Sequence, residues 1–540
     1  MKRNLRVISL AVAATLMLGT LAGCGGKNGL DNSEQTASSA SSAVSESSTS
    51  AGALDEKVEI SVGIWDISPD LTKQKDQFYE KMCKDLNITI NPKPLTWDDY
   101  TQKIQLWASS GELPDVFAID AVGTSYYRNW IKQGVVRAIP EDLSKYPVLQ
   151  KYMENADFQA MKDDGKLYCV PRAMYDSLDY CAHDRNVFYR WDLAQKAGIT
   201  KEPETWEEFK TMLAAINEKD PENKNIGGLT AVNVKQIGGF FWLFSNPAAT
   251  SDGSGSDFKW INEDGKYIPA VFSKNALPSL QNARDMYEKG LVDKDIALVK
   301  GQQGYDKFVQ GKASAVLCVT YNGLNTIIKN WKKAHPEDTD ILGKIKRIKY
   351  FPSTDGTAYH STFKTYWSES YFSSKVDDKK MDRIMRLYDY LLSDDTKEYI
   401  RFGVKDVDYT KDEAGNITTI TTPDELSVKQ PSAVIFADLA NYNNQFMYSP
   451  NNKMWEKGVQ EAAAADLEYS KKASKTPEFD AKLTYLSTPT KDKFSILDHE
   501  DILKIMLGKQ DAAKMWEDTL KEYEAKGLTR MIEEVNEKAK

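Results

Sequence analysis

Residues 58–119, VEISVGIWDISPDLTKQKDQFYEKMCKDLNITINPKPLTWDDYTQKIQLWASSGELPDVFAI, decide the fold class of this chain. Short runs in which apolar and polar residues alternate predict strands, and apolar residues at helical spacing between them predict helices. The predicted elements are strand 58–65, helix 71–85, strand 88–92, helix 100–109 and strand 115–119. Strands and helices that alternate at this pace are typical of a parallel α/β sheet with right-handed crossovers.

The ends of these strands predict where a ligand binds. In open α/β sheets, ligands bind beyond the carboxyl ends of the strands. Trp65 ends the first predicted strand and Asp66 follows it, and Asp120 follows the third. We therefore expect these three side chains to lie at a ligand site.

Composition and charge exclude several functions. The chain has 540 residues, of which 41% are hydrophobic and 28% charged, a globular balance. Its 70 Lys and Arg against 79 Asp and Glu give a net charge of −9. Nucleic-acid binding needs clustered cations, so no nucleic-acid partner is expected. Four His and five Cys leave little material for a His-rich metal site or a disulfide scaffold, and we expect no metal and no cofactor.

The first 56 residues have the pattern of an export signal and a tether. Lys2, Arg3 and Arg6 precede a short apolar run, and Leu-Ala-Gly-Cys ends at Cys24. This pattern predicts a signal peptide over 1–23 with a lipobox, so that the Cys24 thiol is acylated and becomes the N-terminus. The apolar run is too short and interrupted for a membrane span. Residues 24–56, rich in Ser, Ala and Thr, predict a flexible tether. Signal removal changes the net charge to −12, because the signal contains three cations and no acid.

Four further cysteines lie in the predicted body: Cys83, Cys169, Cys181 and Cys318. No two have C-x-x-C spacing, which argues against zinc or thioredoxin-type chemistry. We favour four free buried thiols. If a pair oxidises outside the cell, Cys169 with Cys181 is the candidate.

Catalytic and nucleotide-binding motifs are absent from the sequence. There is no Walker A motif, G-x-S-x-G elbow, H-E-x-x-H or dinucleotide fingerprint. The acidic stretch 252–257 is interpreted as a surface loop. Residues 220–225 resemble a calcium loop only superficially, because Lys224 occupies a ligand position and Asn225 replaces the turn glycine.

Helix signals extend through the rest of the chain. Thr205 followed by Glu208 predicts a capping box at the start of a helix that ends near Glu218. Apolar spacing predicts two more helices near the C-terminus, over 498–508 and 512–526.

Aromatic residues beside polar ones are the main chemical hint. The chain has 12 Trp and 27 Tyr, many next to Asp, Asn or Arg. A sugar ring has an apolar C–H face that aromatic rings cover, and a rim of hydroxyls that polar side chains bind. This pattern favours a carbohydrate ligand over a charged one.

Several segments, in order, resemble extracellular solute-binding proteins (family 1) of carbohydrate-uptake ABC transporters, in particular the long lipoproteins of this family in Firmicutes. The segments are KIQLWASSGELPDVF (103–117), QGVVRAI (133–139), GKLYCVPR (165–172), YRWDLAQKAG (189–198) with TWEEF (205–209), and FVQGKASAV (308–316). Many long relatives contain an acidic calcium-type loop where this chain has the degenerate stretch 220–227.

The resemblance implies a two-lobed periplasmic-binding-protein-like α/β fold with a hinge and a ligand cleft between the lobes. Lobe one is expected at 57–175 plus 362–408, and lobe two at 176–361 plus 409–540. The expected ligand-binding residues are Trp65, Asp66, Asp120, Arg172, Tyr175, Trp242, Tyr321, Asn322 and Trp367.

The function expected from this resemblance is capture of a carbohydrate, an oligosaccharide above all. The protein would be a monomer tethered by Cys24 to the extracellular face of the cell membrane, would deliver its ligand to ABC permease subunits and would not be an enzyme. Two alternatives remain at this point. One is a lipid-anchored glycan-active enzyme, which needs a buried acid pair. The other is a binding protein for a peptide or another non-sugar solute.

Overall fold

A computed structural model describes residues 54, 56–97, 99–122, 124–175, 185–250, 259–361, 364–440, 449 and 451–540. The predicted signal peptide, Cys24 and most of the tether lie outside the described residues, as does the acidic stretch 252–257. Residues Leu54–Lys540 belong to one compact unit.

The strands that the structure describes fall into two main sheets and two small ribbons. They are β1 (Val58–Gly63), β2 (Ile88–Pro92), β3 (Val116–Ile119), β4 (Cys169–Ala173), β5 (Arg185–Arg190), β6 (Gly227–Ala231), β7 (Trp260–Glu263), β8 (Lys266–Pro269), β9 (Ala313–Val319), β10 (Ile345–Arg347), β11 (Tyr366–Phe372), β12 (Tyr409–Lys411) and β13 (Ile417–Thr419).

Helices cover the faces of both sheets. In the described residues they are α1 (Pro69–Gln74), α2 (Gln77–Asp85), α3 (Tyr100–Ser110), α4 (Ser125–Lys132), α5 (Pro147–Met153), α6 (Ala156–Gln159), α7 (Trp191–Lys196), α8 (Trp206–Lys219), α9 (Ile237–Phe241), α10 (Ala276–Glu288), α11 (Gln302–Val309), α12 (Thr320–Ala334), α13 (Ile341–Lys344), α14 (Asp378–Leu392), α15 (Asp394–Phe402), α16 (Pro423–Lys429), α17 (Pro431–Ala440), α18 (Lys457–Ala473), α19 (Ala481–Tyr485), α20 (Asp498–Leu507), α21 (Ala512–Ala525) and α22 (Leu528–Lys538).

The first sheet has the order β2-β1-β3-β11-β4. Strands β1, β2 and β3 are parallel, as predicted, and β11 runs antiparallel to both β3 and β4. All four residues of β3 are buried, because this strand has neighbours on both sides and helices on both faces. The late strand β11 therefore inserts into a sheet that the first quarter of the chain begins.

The second sheet has the order β10-β5-β9-β6. Strand β9 is antiparallel to β5 and parallel to β6. A separate hydrophobic core surrounds it, formed in part by the C-terminal helices α20, α21 and α22. The two sheets and their two cores give the α/β fold two lobes.

One segment packs differently from its predicted lobe. Helix α17 contributes Ala433, Phe436 and Leu439 to the core of the first sheet. The predicted boundary assigned all of 409–540 to lobe two. The apolar face of α17 lies against β4 and α14 instead, so we place 431–440 with the first lobe.

Most predicted elements occur close to their predicted bounds. The predicted single helix 71–85 is wrong, because Lys75 has left-handed backbone geometry and Asp76 starts a new helix by accepting a hydrogen bond from the Tyr79 backbone N–H. The Thr205 cap is confirmed, since its hydroxyl accepts from the Glu208 N–H at 3.2 Å. Glu208 does not complete the capping box, because its carboxylate accepts from the Glu204 N–H.

The cysteines in the described residues are free. Cys169 and Cys318 are buried, and Cys83 is half-buried. Burial raises the pKa of the Cys83 thiol to about 11, which keeps it protonated and unreactive at neutral pH. Cys181 lies outside the described residues.

Candidate functional site

Several predicted ligand contacts converge at one edge of the first sheet. Because β1, β2 and β3 are parallel, the residues after them lie at the same edge, which is also where the antiparallel β11 begins. Trp65 and Asp66 come after β1, and Asp120 comes after β3. Trp367 is the second residue of β11. The structure thus brings together residues separated by about 300 positions in the sequence.

Three indole rings form the centre of this edge, and we call Trp65, Trp97 and Trp367 the tryptophan cluster. The Trp65 ring lies 4.6 Å from that of Trp97 and 5.3 Å from that of Trp367, measured between centroids. The rings of Trp97 and Trp367 are nearly parallel, at 11° and 5.9 Å. Trp65 is only 2% exposed, whereas Trp97 is 45% exposed. Trp65 therefore supports the cluster from below, and Trp97 offers an aromatic surface to solvent.

Arg172, at the end of β4, holds the cluster in place. Its guanidinium carbon lies 4.3 Å from the ring centroid of Trp65 and 5.4 Å from that of Trp367. One Nη donates to the Asp438 backbone carbonyl at 2.6 Å, and the other donates to the Ser368 hydroxyl. Arg172 is fully buried, so it orients the rings and does not reach outward to a ligand.

Asp66 fixes the exposed indole. Its backbone is left-handed, with φ 64°, and its N–H donates to the Leu95 carbonyl at 3.0 Å. This turn aims the Asp66 carboxylate at Trp97, whose Nε1–H donates to Oδ2 at 2.8 Å. The chain beyond β2 is thereby tied to the chain beyond β1, and the orientation of the Trp97 ring is set before any ligand arrives.

Two more carboxylates lie along the same edge. Asp120 is buried and pairs through Oδ1 with the Lys364 ammonium at 2.9 Å. Glu369, on β11, accepts from the backbone N–H groups of Ala121 and Val122 and from the Tyr371 hydroxyl. Burial raises the pKa of the Glu369 carboxyl above its ordinary value. These contacts hold the turn after β3 against β11.

Asp438, whose backbone carbonyl accepts a hydrogen bond from Arg172, has a carboxyl group with a raised pKa. Burial raises its carboxyl pKa to about 6, against the opposing attraction of Arg172, and repulsion from Asp66 adds to the rise. A carboxyl with this pKa changes its charge, and so its ability to accept hydrogen bonds, close to neutral pH.

The corresponding edge of the second sheet contains Tyr321 and Asn322, which begin α12 directly after β9. The Asn322 side chain accepts from the indole N–H of Trp455 at 2.8 Å, and the Tyr321 and Trp455 rings lie 6.1 Å apart. Asn322 is exposed, while Tyr321 is buried. The structure thus groups these two predicted residues with a third that the sequence did not indicate.

Tyr175 and Trp242 lie elsewhere. Tyr175 is buried where the chain leaves the first sheet, and its N–H donates to the Thr365 carbonyl at 3.0 Å, so the residues after β4 lie beside those before β11. Trp242 is 1% exposed and belongs to the core of the second sheet. A core side chain does not offer a face to a ligand, so we do not propose Trp242 as a ligand contact.

Sequence reasoning missed Trp97, Lys364 and Trp455. The sequence could have predicted Trp97, because it comes shortly after β2 and so lies at the same edge of the sheet as Trp65. No sequence pattern indicates the other two, since Lys364 pairs with a residue 244 positions away and Trp455 with one 133 positions away.

The calcium-like loop 220–225 is closed by its own groups. The Asp220 carboxylate accepts from the backbone N–H groups of Lys224 and Asn225, both at 3.0 Å. Glu222 pairs with Lys196 at 3.0 Å and lies 3.5 Å from Arg190. Among the residues that the structure describes, no group of three or more His, Cys, Asp or Glu is arranged to hold a metal ion.

The sequence profile of the bacterial extracellular solute-binding protein family matches residues 68–398, which is more than half of the chain. The chain belongs to this family.

Curated relatives agree with this assignment. The chain is 23% identical to lipoprotein LipO of Bacillus subtilis over 68% of its own length and 70% of the relative's. It is 22% identical to the polygalacturonan/rhamnogalacturonan-binding protein YtcQ of the same organism, over 64% of the chain and 66% of YtcQ. It is 26% identical to the fructooligosaccharide ABC transporter substrate-binding protein FusA of Streptococcus pneumoniae, over 53% of the chain and 52% of FusA.

Solved structures match most of the chain and show the fold. The alginate-binding protein AlgQ2 superposes with a TM-score of 0.67 at 16% identity, covering 89% of this chain and 98% of AlgQ2. FusA of S. pneumoniae in complex with kestose superposes with a TM-score of 0.64 at 14% identity, with the same coverage. Because its family is that of the bacterial extracellular solute-binding proteins, this chain is a solute-binding protein and not an enzyme. In the described residues, no helix is long and apolar enough to cross a membrane.

Proposed function

We propose that this protein is a membrane-tethered receptor that captures an oligosaccharide and delivers it to an ABC importer. The tryptophan cluster is the observation that carries the proposal. The Trp97 indole is 45% exposed and is held by the rings of Trp65 and Trp367 and by the Asp66 carboxylate, which makes it a preformed surface for the C–H face of a sugar ring. Preorganisation reduces the entropy lost when the ligand binds.

The polar groups around the cluster suit sugar hydroxyls. Asp66 presents an exposed carboxylate at this edge and Asn322 an exposed amide on the other lobe, whereas Asp120 is buried in its pair with Lys364. Carboxylates and amides accept or donate hydrogen bonds to hydroxyls without requiring a charged ligand. YtcQ and FusA are named for the saccharides that they bind, which supports the same ligand class here.

The proposed mechanism is closure of the two lobes around the ligand. A ligand that contacts both lobes binds the closed state more tightly than the open one and so shifts the population toward it. The importer would recognise the closed form. The chain around Tyr175 and Thr365, which are joined by a backbone hydrogen bond at the ends of β4 and β11, would form part of the hinge.

The proposed anchor is a lipid on Cys24, followed by the Ser-rich tether to residue 56, which keeps a monomeric receptor at the extracellular face of the membrane. A Cys24→Ser variant should lose labelled palmitate and appear in the culture medium. A variant that stays with the membrane fraction would contradict the anchor and leave the ligand proposal untouched.

A thermal-shift screen tests the ligand proposal, because a ligand that binds only the folded state raises the apparent Tm by mass action. The panel contains neutral oligosaccharides, uronate oligosaccharides and short peptides, and each mixture is analysed for cleavage. We expect a rise in Tm with saccharides and no cleavage product. A response to peptides alone would favour the non-sugar alternative and contradict the proposal.

A further inference from the structure

A second exposed aromatic surface lies on the other lobe, and we call Tyr350 and Tyr469 the tyrosine platform. Their rings are stacked, with centroids 5.9 Å apart and an interplanar angle of 20°. Tyr350 follows β10, and Tyr469 lies on α18. Tyr469 is 39% exposed although one face of its ring lies on Tyr350. The platform therefore has the construction of the tryptophan cluster, with an open ring over a covered one.

A neutral polar layer supports the platform from behind. The Arg347 guanidinium lies 4.6 Å from the ring centroid of Tyr350 and 5.5 Å from that of Tyr469. Its charge is compensated by Asp466, which accepts from Arg347 Nε at 2.9 Å. The Tyr350 hydroxyl shares a hydrogen bond of 2.7 Å with Ser470. Because these groups are buried and paired, they fix both rings without presenting a net charge to a ligand.

Sheet register places the platform at the ligand-facing edge of the second lobe. The Ile348 N–H donates to the Val187 carbonyl at 2.9 Å, so Tyr350 comes level with the beginning of β5. The beginning of β5 pairs with Val319, and the chain continues directly from there to Tyr321.

The platform also lies near the segment that crosses between the lobes. The Tyr350 ring is 6.5 Å from that of His360, and His360 precedes Lys364 by four positions and Trp367 by seven. Lys364 pairs with Asp120, and Trp367 belongs to the tryptophan cluster. A short crossing segment thus connects the two aromatic surfaces.

We infer that the tyrosine platform is a second ring-binding subsite, which takes a neutral sugar unit of the same oligosaccharide that binds the tryptophan cluster. This inference rests on the proposed function. With one aromatic surface on each lobe, a saccharide of several units contacts both, whereas a mono- or disaccharide contacts one. The neutral backing of the platform favours an uncharged unit over a uronate.

Titration calorimetry with a ladder of oligosaccharides tests the subsite. The probes are linear β-1,4-linked glucose, mannose and xylose oligomers and β-2,1-linked fructose oligomers, each of two to five units. We expect wild-type affinity to rise with length for the series that binds. Tyr469→Ala should weaken binding of the longest oligomer by about 3- to 12-fold, the range for losing one aromatic contact, and change disaccharide affinity by less than about twofold.

Three comparisons make the result specific. Tyr469→Phe keeps the ring and should bind the ladder as the wild type does. Glu468→Ala, at the neighbouring position of the same helix, removes only an exposed ion pair with Lys471 and should also leave the ladder unchanged. The inference is overturned if Tyr469→Ala binds every length with wild-type affinity, or loses disaccharide and pentasaccharide binding equally. A wild-type protein that binds no saccharide overturns the proposed function and this inference together.

Discussion

Trp97 and Trp65 have adjacent rings, but Trp97 is exposed to solvent and Trp65 is buried. Trp65 is enclosed by Trp97, Tyr100, Trp367 and the Arg172 guanidinium, so its ring fills space within the protein. Trp97 closes the same cluster on the outside and leaves nearly half of its surface to solvent. Chain position alone distinguishes them poorly, because both follow a strand end. Their exposure differs clearly, so we expect replacement of Trp97 to weaken ligand binding and replacement of Trp65 to lower stability.

Replacing Trp97 by Ala should weaken oligosaccharide binding by about 1–3 kcal/mol, because one large apolar contact with the ligand is lost. Trp65→Ala should chiefly lower the free energy of unfolding, by about 3–5 kcal/mol, because it leaves a cavity in a packed core. Calorimetry and urea unfolding measure the two effects. Leu106→Ala, which removes an exposed apolar side chain from α3, is the control for Trp97→Ala. Unchanged affinity in Trp97→Ala would contradict the role of the tryptophan cluster.

Asp438 gives a prediction about pH. Burial raises its pKa from 3.8 to about 6, so between these values the folded protein binds more protons than the unfolded chain. The contribution of Asp438 to the free energy of unfolding therefore falls as pH rises through this window. The Tm of Asp438→Asn minus that of the wild type should increase from pH 4 to pH 7, since the amide does not titrate.

Asp264→Asn is the matched control, because it makes the same substitution at an exposed carboxylate in the turn between β7 and β8. A Tm difference for Asp438→Asn that is constant across the pH range, or that shrinks as pH rises, would contradict the raised pKa of Asp438.

At the scale of elements, the spacing of apolar residues predicted which segments form strands and which form helices. The strands β1 and β2 and the helix α3 occur where alternation and helical spacing indicated them. The split between α1 and α2 was missed, because Lys75 has no residue-type signal for left-handed geometry and Asp76 reads equally well as an exposed helix residue. The position of β11 was also beyond local reasoning, since its partners β3 and β4 are distant in sequence.

Helix α8 provides an element-scale prediction. The Thr205 hydroxyl accepts from the Glu208 N–H, one of the four N–H groups that lack a partner within the helix. Thr205→Ala should lower the free energy of unfolding by about 1 kcal/mol, measured by urea unfolding. Thr205→Ser keeps the acceptor oxygen and should cost much less. Equal losses in the two variants would show that the methyl group, not the cap, stabilises this position.

At the scale of the whole molecule, the family resemblance was enough to predict the two-lobed fold. The residues of the candidate site could be predicted only in part. Family motifs in order implied the fold, and the family assignment and the solved structures agree with it. The parallel strands explain why Trp65, Asp66 and Asp120 lie at one edge, whereas Trp367 reaches this edge on β11, whose position no local pattern indicated. The Lys364 pair, the Trp455 contact and the tyrosine platform depend on tertiary register, which no local pattern encodes.

The central claim is that a saccharide binds against the tryptophan cluster between the lobes. Its most direct test is a crystal structure of the protein with the tightest oligosaccharide from the thermal-shift screen. We predict a sugar ring parallel to the exposed indole of Trp97, with carbon atoms within about 4.5 Å of it, the distance of apolar contact. A complex in which the ligand binds elsewhere and Trp97 remains open to solvent would contradict it.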